Sequence, residues 1–295
     1  MRLRSSTANG ADAAVRASSA DAGDDRLRAI LVSTNAIDLA QLDQIDALRE
    51  QTGRTFGDAA VHLGIVSQDA VDRATARQHD AKLLVVGDST VSPAVVAAYD
   101  LFDPLAEKLR ALRASVVTPA QMASNPPRII VISSVSGSDT PGIASNFAVV
   151  VAQLGYDGLL VDANLSSPTQ HHLFGLPNRD GVSSLLSQGV EGIRCLSTPI
   201  PHLDLLPAGN EMANAAEAFE RTSLCQSLRN LRRAYQFIIV DGGTQPPEVA
   251  AALSRGSDGV LMVAERGHTQ LKRLKQAIMQ MESREVDVLG TILAR

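Results

Sequence analysis

The sequence is poor in several things at once. It contains no tryptophan, and aromatic residues fill 3% of its 295 positions, so any core it builds is aliphatic. Two cysteines, Cys195 and Cys225, are too few for a disulfide framework. No apolar run approaches the roughly 18–20 residues that span a bilayer. The first 25 residues carry Arg2, Arg4 and Arg16 but no apolar stretch of the secretory-signal kind. The expectation is therefore a cytoplasmic chain with reduced thiols and no membrane span. Basic residues are outnumbered, 27 against 32 acidic, giving a net charge of −5, which argues against general nucleic-acid binding through a basic stripe. Lysine is scarcest: only Lys82, Lys108, Lys272 and Lys275, against 23 arginines. No Cys/His spacing suggests zinc, and the adjacent His171 and His172 do not share a helix face, so no metal site is expected.

What is present is 45% hydrophobic, typical of a globular protein. Residues 1–26 are small and polar and bury too little surface to offset ordering entropy, so a disordered tail is expected there. Residues 27–92 begin as a small helical module. Leu39, Leu42, Ile45 and Leu48 recur at helical spacing and Gly53 supplies a C-cap; a short helix follows over Phe56–Leu63, and Ser67 starts another with Val71, Ala74 and Ala76. Leu83–Val86 is a candidate edge strand. Residues 93–127 hold a helix over Pro104–Val116 and a proline-containing linker.

From Arg128 onward the texture changes. Continuous apolar runs at Ile129–Ser133, Leu159–Asp162, Leu203–Leu206, Phe237–Asp241, Val260–Val263 and Val288–Leu293 alternate with helical segments, among them Ile143–Leu154, Val182–Leu186, Ala215–Arg233 and Gln270–Met281. Runs of this kind are strands buried on both faces. The fold class is α/β, a doubly wound, mostly parallel sheet over 128–295, preceded by a small helical domain. In such sheets ligands sit beyond the carboxyl ends of the strands. The loop after the first strand runs Gly137, Ser138, Asp139, Thr140, Pro141, Gly142, where a phosphate-binding loop belongs. Asp162 and Asp241 end apolar strands, as metal-organising carboxylates do in P-loop enzymes, although turn chemistry also favours Asp at strand ends.

These residues carry a resemblance to the bacterial tyrosine kinases of exopolysaccharide synthesis, running from about residue 93 to the end. Leu160-Val161-Asp162-Ala163-Asn164-Leu165 resembles the family's second Walker motif, L-I-D-A-D-L. His171 to Leu186 resembles its H-x-L-F-G-L-x-N-x-x-G-L-S-x-L-L. Leu205 to Gly209 resembles its L-P-A-G segment, and Phe237–Asp241 its Walker B strand. The resemblance implies a P-loop NTPase-like domain, ATP with Mg²⁺ as cofactor and a membrane polysaccharide co-polymerase as partner. It also implies homo-oligomeric rings through an E-x-x-R-x-x-R helix, matched here by Glu107, Arg110 and Arg113. The family loop reads P-G-E-G-K-S-T. Aligned through Ala144, Asn146 and Ala148, it puts Thr140 on the lysine, Pro141 on the Mg²⁺-binding serine and Asp139 on a glycine. No Lys or Arg occurs from Ile129 to Asn178, Asn164 replaces an Asp, and no tyrosine follows Tyr235 where the family places acceptors.

The expectation is a catalytically degenerate, kinase-like subunit of exopolysaccharide export. It would set polysaccharide chain length as scaffold or regulator of a co-polymerase, recruited to the inner face of the membrane and without a cofactor. Its vestigial site would be Asp162, Asp241 and Gly137–Gly142. One alternative is an active ATPase or autokinase with an atypical phosphate grip. Another, a cyclic di-GMP-responsive switch, rests on the module around Phe56–Ser67, which resembles the N-terminal domain of secretion and pilus assembly ATPases. Some of those bind cyclic di-GMP through a motif opening with Arg-Leu-Gly; Thr55 stands where that Arg would be.

Overall fold

The computed structural model describes residues 27–28, 31–32, 37–68, 70–71, 83–85, 87, 89–117, 128–137, 139–189, 193–212, 214–231 and 234–294. The expected tail over 1–26, and Ala74 and Ala76, lie outside them. The chain divides into two compact units, one up to Lys82 and one from Leu83 onward.

In the first unit, α1 (Leu39–Thr52) opens on a reciprocal cap between Asp38 and Gln41 and closes on Gly53 at φ 68°. That left-handed conformation is cheap only without a Cβ. Helix α2 (Phe56–His62) is capped by Thr55, whose hydroxyl accepts from Asp58 N at 3.2 Å. Leu31, Ile45, Phe56, Ala59 and Ala60 are buried together in a small core. Gly57 sits closely against this core: a Cβ there would lie 3.0 Å from Leu27 Cδ2 and Val71 Cγ1, and both side chains would have to yield.

The second unit is a seven-stranded sheet: β1 (Arg128–Ser134), β2 (Gly158–Asp162), β3 (Leu196–Ser197), β4 (Leu203–Leu206), β5 (Phe237–Thr244), β6 (Gly259–Glu265) and β7 (Val288–Ala294). Their order is β3-β4-β2-β5-β1-β6-β7, all parallel except β3 against β4. Period-two alternation sends Ile130, Ile132, Leu160 and Ile239 to one face and Ile129, Val131, Leu159 and Val240 to the other. The first face packs α3 (Pro104–Val116), α4 (Thr140–Ala152) and α5 (Gln170–Phe174). The second packs α6 (Val182–Gln188), α7 (Ala215–Arg221), α8 (Leu224–Leu228), α9 (Pro247–Ser254) and α10 (Leu271–Glu282).

Two sequence readings are corrected, and one strand is added. Leu83–Val85 forms no strand; instead Leu84 N donates to Ala98 O, and Thr90 Oγ1 to Phe174 O, tying 83–92 to the α/β unit. The helix expected over Ala215–Arg233 breaks at Thr222, which is extended, and restarts at Ser223, whose hydroxyl accepts from Gln226 N. The two-residue β3 escapes a periodicity search because it is too short to show one.

Candidate functional site

The chain returns from β4 to insert β5 between β1 and β2, so three carboxyl-terminal strand ends meet at one crevice. Ser134 and Asp162 end β1 and β2, whereas β5 runs on past Asp241 to Thr244, three residues beyond the end the sequence suggested, so Asp241 lies within the strand beside an irregularity in its pairing with β1. Asp162 and Asp241 are register partners across β2 and β5 and both are fully buried.

At the β1–α4 corner, Asp139 is the N-cap of α4, and its carboxylate accepts from Gly142 N at 3.0 Å. Pro141 in the first turn removes a donor that the cap need not satisfy. The Asp139 carboxylate fills the corner closely enough that a Cβ on Gly142 would lie 2.1 Å from its Oδ2. A helix N-terminus is a natural anion site; here the chain's own carboxylate holds it. Thr140 is buried, Gly137 faces open space, and Ser138 lies outside the described residues. Neither Gly137 nor Gly142 adopts positive φ.

At the β2/β5 corner, Asp162 accepts from Asn164 N at 3.2 Å and from Thr169 N and Gln170 N at 2.9 Å each. It thereby serves the start of α5. Asp241 accepts from Gly243 N at 2.9 Å and from the side-chain amide of Gln170 at 2.7 Å. The same Gln170 amide nitrogen donates to Pro141 O at 3.0 Å, stitching the two corners together. Its Oε1 is buried without a hydrogen-bond partner. Asn164 turns back on its own loop, donating to Ser167 O and accepting from Ser166 Oγ.

Burial pushes the Asp162 carboxyl up to about 6, against the pull of its three N–H donors. Burial, and then the facing Asp162 charge, push Asp241 up to about 7. No cationic side chain contributes to either shift. The crevice thus brings together Asp139, Thr140, Pro141, Gly142, Asp162 and Asp241. Gln170 was missed; its only sequence signal is a polar residue opening a short helix otherwise fixed by Phe174.

The helix residues Glu107, Arg110 and Arg113 stand apart from this crevice. Arg113 donates to Val150 O of α4 at 2.6 Å, within its own chain. Arg110 is half-buried with Nη1 lacking a hydrogen-bond partner, and burial lowers the pKa of both arginines. Among the described residues none of the three forms an ion pair.

A mostly parallel sheet with a β1–helix corner and paired carboxylates on β2 and β5 defines a P-loop NTPase-like domain. No protein-family model matches the chain. Tyrosine-protein kinase YwqD of Bacillus subtilis is 30% identical over 172 residues, covering 56% of this chain and 70% of YwqD. CapB of Staphylococcus aureus is 26% identical over 213 residues, covering 70% of this chain and 90% of CapB. Tyrosine-protein kinase Wzc of Salmonella typhimurium is 26% identical over 223 residues, and the chain spans only 29% of Wzc. Among solved structures, the chimerical protein CapA2B2 aligns with a TM-score of 0.58 at 28% identity, over 75% of this chain and 97% of that one. The kinase domain of Escherichia coli ETK aligns at 0.55 and 26%, over 64% and 74%. The chain belongs to the bacterial tyrosine-protein kinase family.

Proposed function

We propose that this chain is a catalytically degenerate member of its family, a pseudokinase subunit of exopolysaccharide biosynthesis or export. It acts as scaffold or regulator of a membrane polysaccharide co-polymerase. One observation carries the reading: the crevice is filled by the chain's own groups. The Asp139 carboxylate takes the helix N-terminus, and the Gln170 amide lies between Pro141 O and Asp241. The residues present do not fit a nucleotide phosphate with Mg²⁺. Thr140 has no charge to offer, Pro141 has neither hydroxyl nor N–H, and both oxygens of Asp162 and of Asp241 are already engaged. A phosphate would meet Asp139, Asp162 and Asp241 with no Lys or Arg anywhere from 129 to 178.

Retention of the fold without that chemistry leaves protein contacts as the domain's currency, with the Glu107, Arg110 and Arg113 helix as the homo-oligomeric surface. Calorimetric titration of the full chain with MgATP and MgADP is expected to give no saturable heat; micromolar binding overturns the proposal.

A second reading, an active autokinase with an atypical phosphate grip, is favoured by the juxtaposition of Asp162 and Asp241. Incorporation of labelled phosphate by the wild type, lost in Asp241→Asn, would establish it.

A further inference from the structure

The face covered by α7, α9 and α10 carries two features that the crevice does not use. The first is the outward stripe of α10. It bears Lys272 and Lys275, the only lysines after residue 108, together with Leu271 and Met279, which are 63% and 68% exposed. These positions share one side of the helix by their spacing. The opposite side is held in the core by Ala277 and Met281. Large apolar side chains this exposed, flanked by cations, are unusual on a surface that stays in water.

The second is a groove of about 430 Å³ between α7 and α9, lined by Glu217, Glu220 and Glu248 with one cation, Arg221, over Ala216 and Val249, so its side chains carry three acidic charges against one basic. Glu220 is paired at 2.8 Å with Arg284, just beyond α10. Glu217, Glu248, Lys272 and Lys275 form no ion pair among the described residues. Helix α9 packs against both α7 and α10, so the acidic groove and the basic, apolar stripe lie side by side on one face.

We propose that this face is an isologous interface between two copies of this chain. A two-fold axis through it lays each copy's α10 stripe into the other's α7/α9 groove. Met279 meets the apolar floor, and the lysines meet Glu217 and Glu248. Opposite charges placed next to each other on one surface are what a two-fold contact requires, because each patch must find its complement on an identical partner. An anionic lipid surface answers the lysines but not the groove: it would press the three glutamates of the same face against like charge.

The test is sedimentation velocity of the full chain, in a Glu107→Ala background that removes any contribution from α3. The expected result is a dimer that weakens from about 0.1 M to about 1 M salt, as the screening length falls from roughly 10 Å to 3 Å. The variants Lys272→Glu/Lys275→Glu and Glu217→Lys/Glu248→Lys should each dissociate at least about tenfold more readily. All four positions are exposed, so unchanged melting temperatures serve as the folding control. Mixed one to one, the two variants should recover the dimer, since each then offers what the other lacks. A monomeric parent, dimerisation undisturbed by either reversal, or failure of the mixture each overturns the proposal. So does binding of phosphatidylglycerol vesicles that depends on the lysines alone without a dimer, which would assign the stripe to lipid.

Discussion

The two corners of the crevice have met different fates. At the β1–α4 corner Thr140 and Pro141 stand where the resemblance places the lysine and serine of a phosphate loop, and Asp139 caps the helix. At the β2/β5 corner both carboxylates remain, each satisfied by the chain itself. The difference lies in structural duty. Asp162 holds three backbone N–H groups in a buried site, and Asp241 anchors the turn to Gly243 and the Gln170 amide. Their replacement has a folding cost whether or not a nucleotide binds.

The comparison can be broken by mutation. The largest effect is expected for Asp162→Ala, which strands buried donors on Asn164, Thr169 and Gln170. A loss of about 3 kcal/mol follows from one to two unsatisfied buried groups, and a melting midpoint lower by roughly 6–12 °C follows from that loss. If Asp162→Ala melts like the wild type, the structural duty assigned to this corner is wrong.

The next effect is on pH dependence. The folded pKa of Asp241, about 7, lies above the ordinary carboxylate value of 3.8, so between those values the folded state binds more protons than the unfolded one. Stability therefore falls as pH rises through that window and levels off above about 7. Asp162, at about 6, contributes in the same direction. Chemical denaturation from pH 5 to 8 should show this decline, measured against ordinary carboxylates elsewhere, and Asp241→Asn should flatten part of it.

A smaller, sharper effect concerns coupling at the β1–α4 corner. Gly142→Ala must push the Asp139 carboxylate off its cap, costing about 1 kcal/mol, the usual value of an N-cap. Asp139→Ala alone should cost about the same. The double variant should cost little more than either single one, because the lost interaction is shared. Additive losses would show that Asp139 does not fill the corner. The smallest effect is none: cyclic di-GMP should give a flat titration with the full chain, since Thr55 is engaged as the cap of α2.

Much of this was legible beforehand. The six main strands announced themselves as apolar runs, and Gly53 announced the end of α1. Asp139 was legible too, in a way easily passed over. Asp followed by Thr140, Pro141 and Gly142 is a helix-start pattern, and reading it only as a misplaced charge in a phosphate loop conceals its local use. Gln170 was not legible. Its partners are 29 residues away at Pro141 and 71 residues away at Asp241, and no local periodicity encodes such contacts. The ring-helix reading shows the same limit from the other side. Spacing placed Glu107, Arg110 and Arg113 along one helix, but only packing showed Arg113 turned to Val150 O of its own chain.

By itself, the sequence determined which residues stand in and around the loop after β1. Composition and order along the chain suffice to show that no cation lies within residues 129–178 and that a proline stands in the loop. It also determined the sheet, because strands buried on both faces must be continuously apolar. The tertiary structure decided what the remaining polar groups do. The strand order sets Asp162 opposite Asp241 and brings α5 and α4 to the same crevice. Burial then obliges each carboxylate to take whatever donors that arrangement supplies, and Gln170 is the one that reaches both corners.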